Sequence, residues 1–136
     1  MKNVIRLSLV CITLILASCK KERTIDDDLK EVAASINKTA PQILTDGVRL
    51  DSVSAQPGKI FKYNYTLTDD IKENVSPEEI ATFKANAKDG ALKVIKTSPD
   101  IKEFRDNDVT MIYIYYDKNG KQTADFKIVP SEYKGK

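Results

Sequence analysis

The sequence predicts an α+β fold: an antiparallel sheet of about four strands from two hairpins, packed with helices in the order α-β-β-α-α-β-β. Three observations carry that expectation. Apolar residues recur at helical spacing over 26–39 and again after Ser76. Apolar and polar side chains alternate strictly through 60–68, and the two faces stay distinct through 111–128. The pair Asn119-Gly120 divides that second run where a tight hairpin would turn.

Each element has its own reason. In the first helix Leu29, Val32, Ala33, Ile36 and Ala40 form one stripe, and Pro41 stops it. Asp26-Asp27-Asp28 complement the positive end of the helix dipole. An acidic triplet can bind a divalent cation, but consecutive helical carboxylates point around the axis instead of converging, so no metal site is read here. Thr45-Asp46-Gly47 reads as a turn. Strands over 48–55 and 60–68 then flank Gln56-Pro57-Gly58. On the second of them Phe61, Tyr63, Tyr65 and Leu67 share a dry face, while Lys62, Asn64, Thr66 and Thr68 share the wetter one.

Ser76-Pro77-Glu78-Glu79 is the clearest helix start, with a capping serine, a proline in the first turn and a glutamate to close the capping box. Ile80, Phe83 and Ala87 supply its buried stripe. Gly90 either interrupts this helix, or Leu92, Val94 and Ile95 continue its buried side. Ser98-Pro99-Asp100 opens a further short helical turn with Ile101 and Phe104 inward.

The last hairpin can be read in register. A two-residue type I′ turn at Asn119-Gly120 pairs Tyr116 with Thr123, Ile114 with Asp125 and Ile112 with Lys127. It also pairs Tyr115 with Ala124, Tyr113 with Phe126 and Met111 with Ile128, and these six residues form the expected core face. The opposite face carries Ile112, Ile114 and Tyr116, a candidate partner surface unless a helix covers it. Asp117-Lys118-Asn119-Gly120 lacks the alternating ligands and closing glutamate of an EF-hand loop, so it reads as a turn.

The N-terminus gives an address. Lys2 and Arg6 precede an apolar run, which ends in small residues before Lys20. That is the order of an export signal over 1–18, and the run is too short for the roughly 20 residues that a bilayer core needs. Leu16-Ala17-Ser18-Cys19 resembles a bacterial lipobox. The resemblance implies cleavage between Ser18 and Cys19, and lipidation of Cys19 on its sulfur and its amine. More than one acyl chain gives stable anchoring, so Cys19 is expected to be a membrane anchor. Residues 19–25 become a lipidated tether and 26–136 a single domain. The Lys20-Lys21-Glu22 start resembles in part the surface-export signal of some Bacteroidetes lipoproteins; a flexible polar tether is the plainer reading. The expected location is the bacterial cell envelope, at the outer membrane, with the periplasmic or surface face left open.

Removal of 18 residues leaves 118, enough for one core. Cys11 departs with the signal and Cys19 is acylated, so no thiol remains for a disulfide or for catalysis. Without Lys2 and Arg6 the mature chain has 20 basic and 20 acidic residues, a balance that implies no nucleic-acid partner. There is no histidine for base or metal chemistry and no glycine-rich phosphate loop. Asp69-Asp70 and Glu78-Glu79 read as solvated carboxylates. The expectation is a protein with no catalytic residues, cofactor or metal.

The stretch "SPDIKEFRDNDVTMIYIYYDKNGK" (98–121), with the lipid anchor and a first helix ending near proline, resembles in layout the small α/β pilotin lipoproteins of type II secretion. The resemblance implies a role in escorting and seating the outer-membrane secretin by gripping one of its helices. Members of that family often carry a disulfide between the segment before the short helix and the C-terminal tail; around Lys96 and Glu132 this chain has no cysteine. Two non-catalytic readings follow: an envelope binding or assembly lipoprotein with a protein partner, or an immunity protein or inhibitor against a secreted toxin or enzyme.

Overall fold

The computed structural model describes residues 21–135. The expected export signal, Ser18 and Cys19 lie outside the described residues. The first helix, α1, spans Ile25–Asn37 and is opened by a capping box in which Thr24 and Asp27 bond each other's backbone N–H. A cap of this kind stabilises a helix by about 1 kcal/mol. The helix ends at Asn37, four residues before Pro41.

The sheet has five strands, one more than the sequence predicts. They are β1 (Gln42–Thr45), β2 (Val48–Gln56), β3 (Ile60–Leu67), β4 (Thr110–Asp117) and β5 (Gln122–Ile128), in spatial order β1-β2-β3-β4-β5. It is mixed and not wholly antiparallel: β3 and β4 run parallel from Ile60↔Thr110 to Leu67↔Asp117. Each expected hairpin forms, but the two join side by side through this parallel pair. Parallel neighbours need a long crossover. Here it holds α2 (Pro77–Thr97), α3 (Lys102–Asp106) and short 3-10 turns at Lys72–Asn74 and Pro99–Ile101. A last short helix, α4, spans Pro130–Tyr133.

The extra strand is β1. Its sequence Gln-Ile-Leu-Thr is short and its side chains are mostly exposed, so it lacks an alternating apolar pattern. α2 runs unbroken through Gly90, with Ser76 and Glu79 forming the expected capping box. Arg105 closes its other end by donating to the Ile95 and Ser98 carbonyls, both at 2.6 Å.

Register places the core on one face. The rows Leu50–Tyr65–Tyr115–Ala124, Val53–Tyr63–Tyr113–Phe126 and Ala55–Phe61–Met111–Ile128 cross four strands. Leu29 and Ala33 of α1, Ile95 of α2 and Phe104 of α3 complete the core on that side. Burying one such aliphatic or aromatic side chain contributes about 1.5–3 kcal/mol.

Two turns differ from expectation. At the last hairpin the Gly120 N–H donates to the Asp117 carbonyl, and Gly120 has φ +81° while Asn119 keeps a negative φ. This is a type I turn followed by a bulge, not a type I′ turn. The added residue shifts Tyr116 onto Gln122 instead of Thr123, while the pairs from Tyr115–Ala124 to Met111–Ile128 stand as expected. Asp26, expected to serve the α1 dipole, also holds the β2–β3 turn. Its carboxylate accepts the Gly58 and Lys59 N–H groups at 3.1 and 2.8 Å. Both turn residues have positive φ, and Lys59 as a non-glycine needs that support.

Candidate functional site

The helices do not cover the inner face completely. α1 packs on β2 and α2 makes its main sheet contact with β5, so the centre of the sheet stays partly open between them. A groove of about 460 Å³ lies there, floored by Tyr63, Tyr65, Tyr113 and Tyr115 of β3 and β4. Ala87, Gly90, Ala91 and Val94 of α2 form one wall; Leu44 and Val48 form the other.

The floor is a stacked aromatic slab. The rings of Tyr63 and Tyr113 are 5.0 Å apart at 10°, and those of Tyr65 and Tyr115 are 4.9 Å apart at 15°. Phe126 backs Tyr113 at 4.8 Å, and Phe83 meets Tyr115 edge-on at 4.9 Å. Each such pair adds about 0.5–1.5 kcal/mol beyond burial, so the floor is held together by its own ring contacts. Burial pushes the Tyr63 and Tyr115 phenols up to about 12. Burial raises Tyr65 and Tyr113 further, with a smaller push from neighbouring tyrosines. All four are therefore neutral at physiological pH. The groove has no charged lining residue, so it suits apolar side chains and offers no group poised to exchange a proton.

Its rim is exposed and apolar. Ile43, Leu44 and Val94 are the large hydrophobics exposed among the described residues, at 68, 50 and 52 %. Two of them, Leu44 and Val94, line the groove, and Ile43 adjoins Leu44.

Ile112, Ile114 and Tyr116 lie together on the outer face of β4. They are half-buried, and none belongs to the core or packs against it. Lys62, Asn64 and Thr66 flank them on β3, and Lys127, Asp125 and Gln122 on β5. Beyond β3, Thr66 donates to Asp51 at 2.5 Å, and Arg49 pairs with the same carboxylate. The outer face is thus a narrow apolar stripe in a polar field.

Of the carboxylates read as solvated, Asp69 and Asp70 lie exposed after β3 and Glu78 is exposed in the first turn of α2. Glu79 accepts the Ser76 N–H in the α2 cap. With Asp69, Asp70 and Lys118 it borders a cleft of about 450 Å³ at the carboxyl ends of β3 and β4. Beside it Asp117 is fully buried and accepts backbone N–H groups of Lys72, Asn119 and Lys121. Those bonds, led by Lys72, hold its carboxyl below the usual range against the opposing effect of desolvation. Asp117 pins the crossover to the hairpin. Among the described residues no cluster of three His, Cys, Asp or Glu is placed to hold a metal, and no helix is long and apolar enough to cross a membrane.

Sequence reasoning located the tyrosines but assigned them simply to a core face. The groove needs α2 to stand off the sheet centre. The only local trace of that is the small residues Ala87, Gly90 and Ala91 where a core helix would carry larger ones.

Residues 23–124 match the family model described as a domain of unknown function (DUF8479). No curated protein matches the sequence. Three solved structures share the fold. The pilotin EpsS of the Vibrio vulnificus type 2 secretion system superposes with a TM-score of 0.63 at 9 % identity, covering 82 % of this chain and 94 % of that one. The type II secretion pilotin AspS of Vibrio cholerae gives 0.59 at 13 % identity, covering 79 % and 91 %. PA3611 of Pseudomonas aeruginosa, described as secreted, gives 0.57 at 7 % identity, covering 82 % and 99 %.

Proposed function

The chain belongs to the DUF8479 domain family, and from that premise and the fold it shares with two pilotins we propose that it is a pilotin-like adaptor. It is a non-catalytic, lipid-anchored protein of the outer membrane, and it grips an apolar segment of a secretin-type partner in the tyrosine groove. One observation supports this reading above the others. In a chain with 31 % charged residues the groove has no charged lining, and it gathers two of the three large hydrophobics exposed among the described residues. Exposed apolar surface concentrated in one place marks an interaction site. Cys19 carries the anchor on a tether of residues 19–25, the last of which opens α1. Ile112, Ile114 and Tyr116 form the second candidate surface.

Overlapping synthetic peptides spanning the secretin of the same organism, titrated by fluorescence anisotropy, test the partner. Binding should be lost in Leu44→Asp and Val94→Asp, both folded by circular dichroism, and kept in Ile114→Asp. The reverse pattern would move the site to the outer stripe, and no bound peptide would remove the secretin reading. In the same cells, Cys19→Ser should leave the membrane fraction and lose label from a fatty-acid analogue. Equal labelling would sink the anchor.

A further inference from the structure

β5 ends the sheet, and its outer edge is unpaired. Its ladder runs to β4 alone, from Tyr116↔Gln122 to Met111↔Ile128. Among the described residues nothing outside β4 bonds to the backbone of 123–128. At either end of that stretch the Gln122 carbonyl accepts from the Lys72 ammonium at 2.7 Å, and the Val129 N–H donates to Glu132 at 2.9 Å. In a strand paired on one side, alternate residues turn both backbone groups outward, so this edge presents about three unpaired N–H and C=O sets. The opposite edge offers less: β1 has four residues, and the Val53 backbone beyond it is taken up by the Asn37 side chain.

A free edge is a template for another chain, and the charge beside it decides which chain. A recess of about 450 Å³ lies along β5, lined by Lys84 and Lys88 of α2, Ile112 of β4, and Asp125, Phe126 and Lys127. Lys88 is occupied by Glu132 at 2.7 Å, and Asp125 accepts from Gln122 at 3.1 Å. Lys84 and Lys127 hold no ion pair among the described residues. A second copy, pairing edge to edge about a two-fold axis, would bring its own Lys84 and Lys88 to the same seam as like charge. A strand carrying carboxylates would instead meet two unpaired ammonium groups. We propose that β5 takes an extended acidic segment of a protein partner as a sixth strand. Main-chain bonds supply the hold, and Lys84 and Lys127 select the carboxylates. Six residues of partner, about 20 Å of strand, span the open stretch. No residue of this recess lines the tyrosine groove, so the surface stands independently of the secretin reading.

The probe is a heptapeptide of alternating glutamate and valine, titrated at low salt onto the intact, detergent-solubilised protein. Binding should slow hydrogen exchange in 122–128 and leave 42–45 unchanged. The same peptide N-methylated at every residue keeps its charge but has no backbone donors, and it should not bind. Lys84→Glu combined with Lys127→Glu should weaken binding about tenfold, while Lys93→Glu, elsewhere on α2, should leave it unchanged. Equal binding of the N-methylated peptide would mean an ionic contact only. Equal binding of a lysine–valine heptapeptide would remove the charge selection, and protection appearing in 42–45 would move the added strand to β1. Each of these outcomes overturns the proposal, as does the absence of binding at millimolar peptide.

Discussion

Replacing Phe126 with alanine removes a ring that is 5 % exposed and stacks on Tyr113 at 4.8 Å and on Tyr115 at 6.1 Å. Deleting a core phenylalanine costs about 3–5 kcal/mol, as lost transfer free energy plus the cavity left behind. The total stability of a domain this size is about 5–15 kcal/mol. With a urea dependence of about 1–3 kcal/mol per molar, the unfolding midpoint should fall by roughly 2 M. Lys127, the next residue, is exposed on the opposite face, and Lys127→Ala should stay within about 0.5 kcal/mol of wild type. Because Phe126 backs the groove floor, the near-ultraviolet circular dichroism of the stacked tyrosines should weaken in Phe126→Ala. Urea titrations of the three proteins decide the matter. A loss below about 1 kcal/mol for Phe126→Ala, or the reverse ranking, would place the wrong face of β5 inward.

Two further expectations concern pH. Asp117 is held below the ordinary carboxylate range in the folded state, so it contributes stability above the unfolded-state value, and that stability is lost as pH falls through its folded-state value. Asp117→Asn should therefore melt well below wild type at pH 7 and approach it in acid; a constant difference across pH would refute the role of the charge. Tyr63 and Tyr115 shift the opposite way, up to about 12 through burial. Their contribution is full below the unfolded-state value of about 10 and is lost as pH rises through about 12. A spectrophotometric titration should show their phenolate absorbance lagging behind free tyrosine, and ordinary titration of the groove tyrosines in the folded protein would mean the slab is open to water.

Much of the hairpin chemistry is local and was legible in the residues. Ser76 and Glu79 specify the α2 start because both partners of the capping box lie within one turn. The pairing of Tyr113 with Phe126 follows from the alternation once the turn is placed. The turn type was misjudged because Asn-Gly serves both a type I′ turn and a type I turn with a bulge. The Asp117 carboxylate, which accepts the Asn119 and Lys121 N–H groups, accompanies the second form here. β1 escaped because four residues on an edge, three of them exposed, have no periodicity to read. Part of that same edge is closed by a side chain instead of a strand: Asn37 donates to the Val53 carbonyl at 2.8 Å and accepts its N–H at 2.9 Å.

By itself the sequence determined elements of low contact order, namely the three helical segments before β4, the Ser76–Glu79 cap, the two hairpins and the alternating face of tyrosines; the Thr24 cap of α1 and the short α4 went unread. It also excluded imidazole chemistry, and thiol chemistry beyond residue 19, since the chain has no histidine and its cysteines lie within the first 19 residues. Tertiary structure decided how the hairpins join. The parallel β3–β4 pair depends on contacts across the whole crossover, and no local pattern encodes their partner. It decided equally that α2 stands against β5 and leaves Tyr63 and Tyr65 only partly covered, while Tyr113 and Tyr115 are buried. The same apolar face can be sealed or exposed, depending on where a helix some tens of residues away comes to rest.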